Sequence, residues 1–287
     1  MSEYTEIEAA DAYCMLLTRK HYENFLIVSG LPPGRLRKDL MRIYAYCRTT
    51  DDFGDESGEV AIERLGRWRE QVRGLFRGDA PVHPVLVALQ DTVKTHGLTV
   101  EPFDDLIEAN VRDQHTTRYE TWPELREYCT YSAAPVGRMV LGVFGIANPT
   151  TEQLSDDVCI GLQLANFAQD VTWDTAKGRS YLVQEEVRRD GISGAVRSHC
   201  ERARMLLASG TELERMAPAP LRRQLALYRL GGLAIVRAVE RVAYRSDERR
   251  PRVATSQKIV LLLKTLFVSS AEPPERAAPA AQSKDSG

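Results

Sequence analysis

Apolar residues recur at three- and four-residue spacing along most of the chain, the period of helices with one buried face. The pattern predicts helices over residues 6–18, 34–55, 59–77, 83–96, 102–114, 122–145, 151–177, 194–216, 219–245 and 252–268. Breakers separate them: Leu31-Pro32-Pro33-Gly34, Gly78-Asp79-Ala80-Pro81, Asn148-Pro149 and Met216-Ala217-Pro218. Alternating β-branched runs closed by Asn-Gly or Asp-Gly are nearly absent. We expect an all-α fold, with one domain over residues 1–270. Residues 271–287, rich in Pro, Ala and Ser, are expected to form a disordered tail.

Two of these helices carry carboxylates where the apolar face should continue. In Tyr44-Ala45-Tyr46-Cys47-Arg48-Thr49-Thr50-Asp51-Asp52-Phe53-Gly54-Asp55, Leu40, Tyr44, Asp51 and Asp55 share one side of the helical wheel. In Gln163-Leu164-Ala165-Asn166-Phe167-Ala168-Gln169-Asp170-Val171-Thr172-Trp173-Asp174, the residues Gln163, Asn166, Asp170 and Asp174 fit within about 80° of arc. The opposite face holds only Gly161, Ala165, Ala168, Thr172 and Thr175, which suits close packing on another helix. Greasy residues flank both sides, so this helix is expected to be buried nearly all round, its polar stripe facing an internal cavity.

Carboxylates one helical turn apart repel, more so when enclosed. A positive partner is therefore expected, and aspartates without His or Cys favour a hard cation with oxygen ligands, Mg²⁺ first. Arg48, Lys177 and Arg179, at the ends of the stripes, could hold phosphate oxygens. A lone D-x-x-x-D is more often a solvated face than a site; two such stripes in core positions reverse that reading.

Composition narrows the field. The 287 residues are 43% hydrophobic and 27% charged, ordinary for a globular protein with room for an enclosed pocket. A net charge of −2 supplies no field to attract nucleic acid. Five scattered cysteines without a C-x-x-C pair point to reduced thiols. No secretory signal is evident, and Ile259–Val268, interrupted by Lys264, falls short of the roughly 20 apolar residues of a membrane span. A cytoplasmic location is expected. The basic run Arg241–Arg252 leaves room for a peripheral membrane contact, although a solvated helix end is the plainer reading. The histidines His83, His96, His115 and His199 show no metal-ligand spacing.

The paired motifs resemble the squalene/phytoene synthase family of head-to-head prenyl synthases, whose pattern is YAxxRxxDDxxD followed by QxxNxxRDxxxDxxxGRxYLP. The chain reads Tyr44-Ala-x-x-Arg48-x-x-Asp51-Asp52-x-x-Asp55, then Gln163-x-x-Asn166-x-x-Gln169-Asp170-x-x-x-Asp174-x-x-x-Gly178-Arg179-x-Tyr181-Leu182. Three further segments are similar to the branch that makes hydroxysqualene in hopanoid clusters: His21-Tyr22-Glu23-Asn24-Phe25, Arg118-Tyr119 and Tyr128–Arg138. Gln169 stands where the wider family usually has Arg; this branch typically has Gln there. Val183 replaces the usual Pro.

The resemblance implies a single all-α domain around a central cavity. It implies Mg²⁺ on Asp51, Asp55, Asp170 and Asp174, with Asp52 nearby. It places Arg48, Gln163 and Asn166 at the diphosphate or its metals, beside the stripe-end candidates Lys177 and Arg179. Tyr44 and Tyr128 would stand near the reacting carbons with Arg48 and Gln169, and His21, Tyr22 and Phe25 would line the substrate pocket. The implied reaction ionises presqualene diphosphate, rearranges the cation and captures water, without reductant. The alternatives are condensation of two prenyl diphosphates, such as farnesyl diphosphate, to presqualene diphosphate, squalene or phytoene, and a non-catalytic scaffold. The standing aspartates weigh against the scaffold.

Overall fold

The breaks between helices are made by local devices. Asn148 caps the helix that follows it: its side-chain oxygen accepts from the backbone N–H of Thr150 (3.0 Å) and Thr151 (3.1 Å), while the Thr151 hydroxyl accepts from Asn148 N–H at 3.0 Å. Gly78 ends another helix at φ 94°, a left-handed conformation that L side chains resist.

The computed structural model describes residues 3–20, 34–56 and 58–254. In chain order these form α1 (Glu3–Lys20), α2 (Gly34–Gly54), α3 (Glu59–Arg77), α4 (Pro84–His96), α5 (Glu101–Arg112), β1 (Arg118–Tyr119), α6 (Trp122–Ser132), α7 (Ala134–Val143), α8 (Pro149–Gln169), α9 (Val171–Ala176), β2 (Ser180–Val183), α10 (Gln184–Ala208), α11 (Gly210–Met216) and α12 (Ala219–Arg241). The architecture is all-α, as expected. The segment 252–268 and the tail 271–287 lie essentially outside the described residues.

Several predicted helices prove to be two. The stretch 122–145 divides at Ala133 (φ −119°), just ahead of Pro135, which has no N–H for a continuing helix. The stretch 151–177 divides at Asp170, whose φ −100° and ψ 15° leave the helical region. The helix predicted from 194 is the second of two helical segments within Gln184–Ala208, which are joined across a kink where Gly191 (φ 73°, ψ 176°) leaves helical geometry. The helix predicted through 245 stops at Arg241, and Ala243 and Tyr244 follow with positive φ. A parallel pair of strands, β1 with β2, was not anticipated. Two residues of one strand carry no alternation to read.

Two large apolar cores hold the helices, with a smaller cluster joining α7, α11 and α12. One is built from α1–α5 and α7 around Trp68, Tyr46 and Phe103, with the Tyr46 hydroxyl donating to Phe103 O at 2.7 Å. Each of these rings contributes about 1.5–3 kcal/mol on burial. The other joins α6, α8, α10, α12 and the strand pair. Here the small face of α8 does what its sequence predicts: Gly161, Ala165 and Ala168 are buried, and a Cβ on Gly161 would stand 3.2 Å from Ala203 O of α10. A charged network ties the first core: the guanidinium of Arg42, 2% exposed, donates to Asp11, Asp39, Asp91 and Thr92, linking α1, α2 and α4. No helix among the described residues is long and apolar enough to cross a membrane.

Candidate active site

The first acidic stripe occupies the last turn of α2. Arg48 pairs with Asp52 and lies 3.6 Å from Asp55, so one guanidinium answers two of the three carboxylates. Its Nε is buried without a partner. Asp51 is turned inward, where Asn110 Nδ2 of α5 donates to it at 3.3 Å. Burial pushes its pKa up to about 6, a shift opposed by Asn110 and Arg48 and reinforced by Asp55 and Asp52. Tyr44, one turn back, has its phenol pushed up, again chiefly by burial. The end of α2 is clamped on α5: Gln114 Nε2 donates to Gly54 O at 2.8 Å. A Cβ on Gly54 would stand 2.0 Å from Asn110 Oδ1, so this position needs glycine for close approach.

The second stripe straddles the α8–α9 break. Asp170 ends α8 and begins α9, and Arg250 forms a two-pronged pair with it (Nε to Oδ1 2.5 Å, Nη2 to Oδ2 3.3 Å). Arg250 also lies 4.0 Å over the Trp173 ring. Asp174 has its pKa pushed up to about 6, first by burial and next by Asp170, against Lys177 and Arg179. The stripe is not sealed in a cavity wall: Asn166 and Trp173 are exposed, and Gln163 is half-buried. The break at Asp170 turns α9 away from the α8 core, which corrects the expectation of a helix buried all round.

Between the stripes stands Asp113, at the end of α5. Its carboxylate accepts from the Tyr128 hydroxyl at 2.9 Å and from the Tyr181 hydroxyl at 3.3 Å, and Arg179 lies 3.6 Å away. Burial raises its pKa, with a small further contribution from Asp55, and Asp113 in turn raises that of Asp174. Asp113 therefore lies within electrostatic reach of both acidic motifs. Tyr119, Tyr128, Tyr181 and Phe167 stack beside it, with Phe167 and Tyr181 4.2 Å apart and nearly parallel.

Most of the sequence-derived residues thus come together: Tyr44, Arg48, Asp51, Asp52 and Asp55 on one side, and Tyr128, Asp170, Asp174, Lys177 and Arg179 on the other. Gln169 does not join them. It is buried, and its Nε2 donates to Pro251 O at 2.9 Å, away from the stripe. His21, Tyr22 and Phe25 lie outside the described residues. Three participants went unforeseen. Asp113 belongs to no spaced acidic motif. Tyr181 sat inside a quoted motif without being singled out. Arg250 was read as a solvated helix end, and only an 80-residue return of the chain brings it to Asp170.

The donor set suits a hard cation, with oxygen ligands only; Asp51 and Asp174 are held above the carboxylate range chiefly by burial. Among the described residues no three acidic, His or Cys side chains close into a cage, and Asp52 and Asp170 are paired with Arg48 and Arg250. The histidines serve the fold: His199 is buried between Ala195 O and Tyr181 O, and the His83 ring accepts from Val85 N–H at the start of α4.

The body is all-helical, with two aspartate-rich helix ends set among arginines and tyrosines. The chain belongs to the squalene/phytoene synthase family, whose profile it matches over residues 18–257. It is similar to the squalene synthase HpnC of Alicyclobacillus acidocaldarius, with 41% identity and a TM-score of 0.79, over 84% of this chain and 96% of that one. A dehydrosqualene synthase solved with a ligand shares the fold, with a TM-score of 0.83 at 23% identity, over 92% of this chain and 98% of that one. The chloroplastic phytoene synthase of Daucus carota is 30% identical over 288 residues, covering 91% of this chain and 71% of that protein. The family processes prenyl diphosphates head to head.

Proposed function

We propose that this enzyme ionises presqualene diphosphate, lets the cation rearrange and captures one water to release hydroxysqualene. The observation that carries the reading is the paired acidic motif, both halves within electrostatic reach of Asp113, with Gln169 withdrawn from it. In the wider family an Arg usually stands at position 169. Here the guanidinium beside Asp170 comes from Arg250 instead. The branch-like segments around Phe25 and Tyr128–Arg138 and the likeness to HpnC support the same branch.

Magnesium held by Asp51, Asp55, Asp170 and Asp174 would supply Lewis-acid neutralisation of the departing diphosphate. Arg48, Lys177 and Arg179 hold its oxygens, and Gln163 and Asn166 orient it from the exposed edge of α8. Asp170 would be free to hold the metal with the Arg250 guanidinium turned to the diphosphate instead. The stacked rings of Tyr128, Tyr181 and Phe167 offer π faces to a carbocation and no strong nucleophile. Tyr44 sits one turn from Arg48, where it meets the reacting end of the substrate.

A second reading has its own support: phytoene synthases are among the relatives, and these condense two prenyl diphosphates. One experiment separates the two. Purified full-length protein with Mg²⁺ and no NADPH is incubated with presqualene diphosphate or with farnesyl diphosphate. Release of a C30 alcohol from the first is the expected outcome. Efficient turnover of farnesyl diphosphate with presqualene diphosphate ignored would assign the condensation instead.

A further inference from the structure

Asp113 is an acidic residue with 12% of its side chain exposed that belongs to neither aspartate motif. An ionised carboxylate in such a place is costly unless donors surround it. Its donors here are two phenols and a guanidinium, and they come from distant segments. Tyr128 lies on α6, Tyr181 on β2 and Arg179 in the turn that follows Asp174.

A carboxylate only accepts. The Tyr128 proton is therefore committed to Asp113, and the phenolic oxygen can offer only its lone pairs to whatever binds beside it. The ring is held as firmly as the hydroxyl. Tyr119 and Tyr181 flank it at 5.0 Å and 5.6 Å between centroids. A phenol fixed in this sense presents the negative end of its dipole, which favours positive charge developing nearby. Were the proton free to turn toward the substrate, the same oxygen would oppose that charge.

We propose that Asp113 is a positioning residue for catalysis, acting by orienting the Tyr128 hydroxyl and by holding Arg179 beside the second acidic motif. The inference rests on the reading that Tyr128 stands at the reacting carbons.

The test is a double-mutant cycle on the full-length protein with Mg²⁺: Asp113→Asn, Tyr128→Phe and both together. It is run on whichever of presqualene or farnesyl diphosphate the wild type turns over. Asp113→Asn is expected to lower kcat by about 10- to 100-fold, within the range of single positioned groups, while KM changes less than about threefold. The double variant should be no slower than the slower single, because both changes remove one interaction. Asp113→Glu, which keeps the charge and the acceptor, should stay within about tenfold of wild type, by the same reasoning. It also carries the test if the asparagine variant folds poorly. Multiplicative losses in the double variant, a glutamate as slow as the asparagine, or wild-type kcat with a lowered Tm would each overturn the proposal. Farnesyl diphosphate as the sole substrate would refute hydroxysqualene formation while leaving the cycle intact. A wild type inert toward both would overturn both readings.

Discussion

Four aspartates carry the proposed metal chemistry, yet their settings differ. Asp174 is crowded by Asp170 and partly buried, whereas Asp170 has its own guanidinium. Sequence spacing alone makes the two look alike, mutually repelling across one turn, so that Asp170→Asn would relieve strain. The structure reassigns that relief: in metal-free protein Asp174→Asn should raise Tm by a few degrees, while Asp170→Asn should lower it by breaking the Arg250 pair. Both should cost several orders of magnitude in turnover, since each removes leaving-group stabilisation. Calorimetry and product assay on the two variants check this.

Asp51 gives a pH signature. Its folded pKa of about 6 lies above the ordinary value of 3.8, so its ionised form disfavours the folded state at neutral pH. Asp51→Asn should therefore stabilise metal-free protein at pH 7.5. The gain should fade as pH falls through about 6 and vanish below about 4, where the carboxyl is neutral folded and unfolded alike. A gain independent of pH would show that burial of its charge is not the cause.

At the scale of elements, α8 is the most informative helix. Its small face fits α10 closely enough that Gly161→Val should cost about 1–3 kcal/mol through overpacking. Urea denaturation of the variant measures it, and an unchanged midpoint would mean the two helices can separate without loss. That face was legible because close packing selects small residues at a helical period, a local property of sequence. The first acidic motif was legible for the same reason, and α2 ends as its pattern predicts. The break at Asp170 was not legible. No Gly or Pro marks it; the cause is a return of the chain that puts Arg250 and Pro251 against the junction. The withdrawal of Gln169 has the same origin. Asp113 escaped notice because a single carboxylate at a helix end carries no periodicity, and its three donors come from elements far apart in the chain.

Across the whole molecule, charge inside the fold is handled in two ways. Around Arg42 every carboxylate is answered by donors, and the network is structural: Arg42→Met should destabilise by about 3–5 kcal/mol, as it leaves buried Asp39 with only Thr92 and His96 and half-buried Asp11 with only Lys38. Thermal unfolding with turnover measured below the transition checks this, the latter unchanged per folded molecule. Between the acidic motifs the balance is left short of positive charge, as a site that receives cations with its substrate requires. The β1–β2 pair bears on this in time as well as space. Tyr181 meets Asp113 where the chain has closed on itself over 68 residues, with Ser180 N–H donating to Thr117 O at 2.8 Å beside them. Closing a loop of that length has its entropic cost before any contact is made. The first half of the site closes over a similar distance, Asn110 reaching Asp51 across 59 residues. The two halves should therefore acquire protection from amide exchange together on refolding, since their closures carry nearly equal entropic cost. Prenyl diphosphate could then engage only the completed chain.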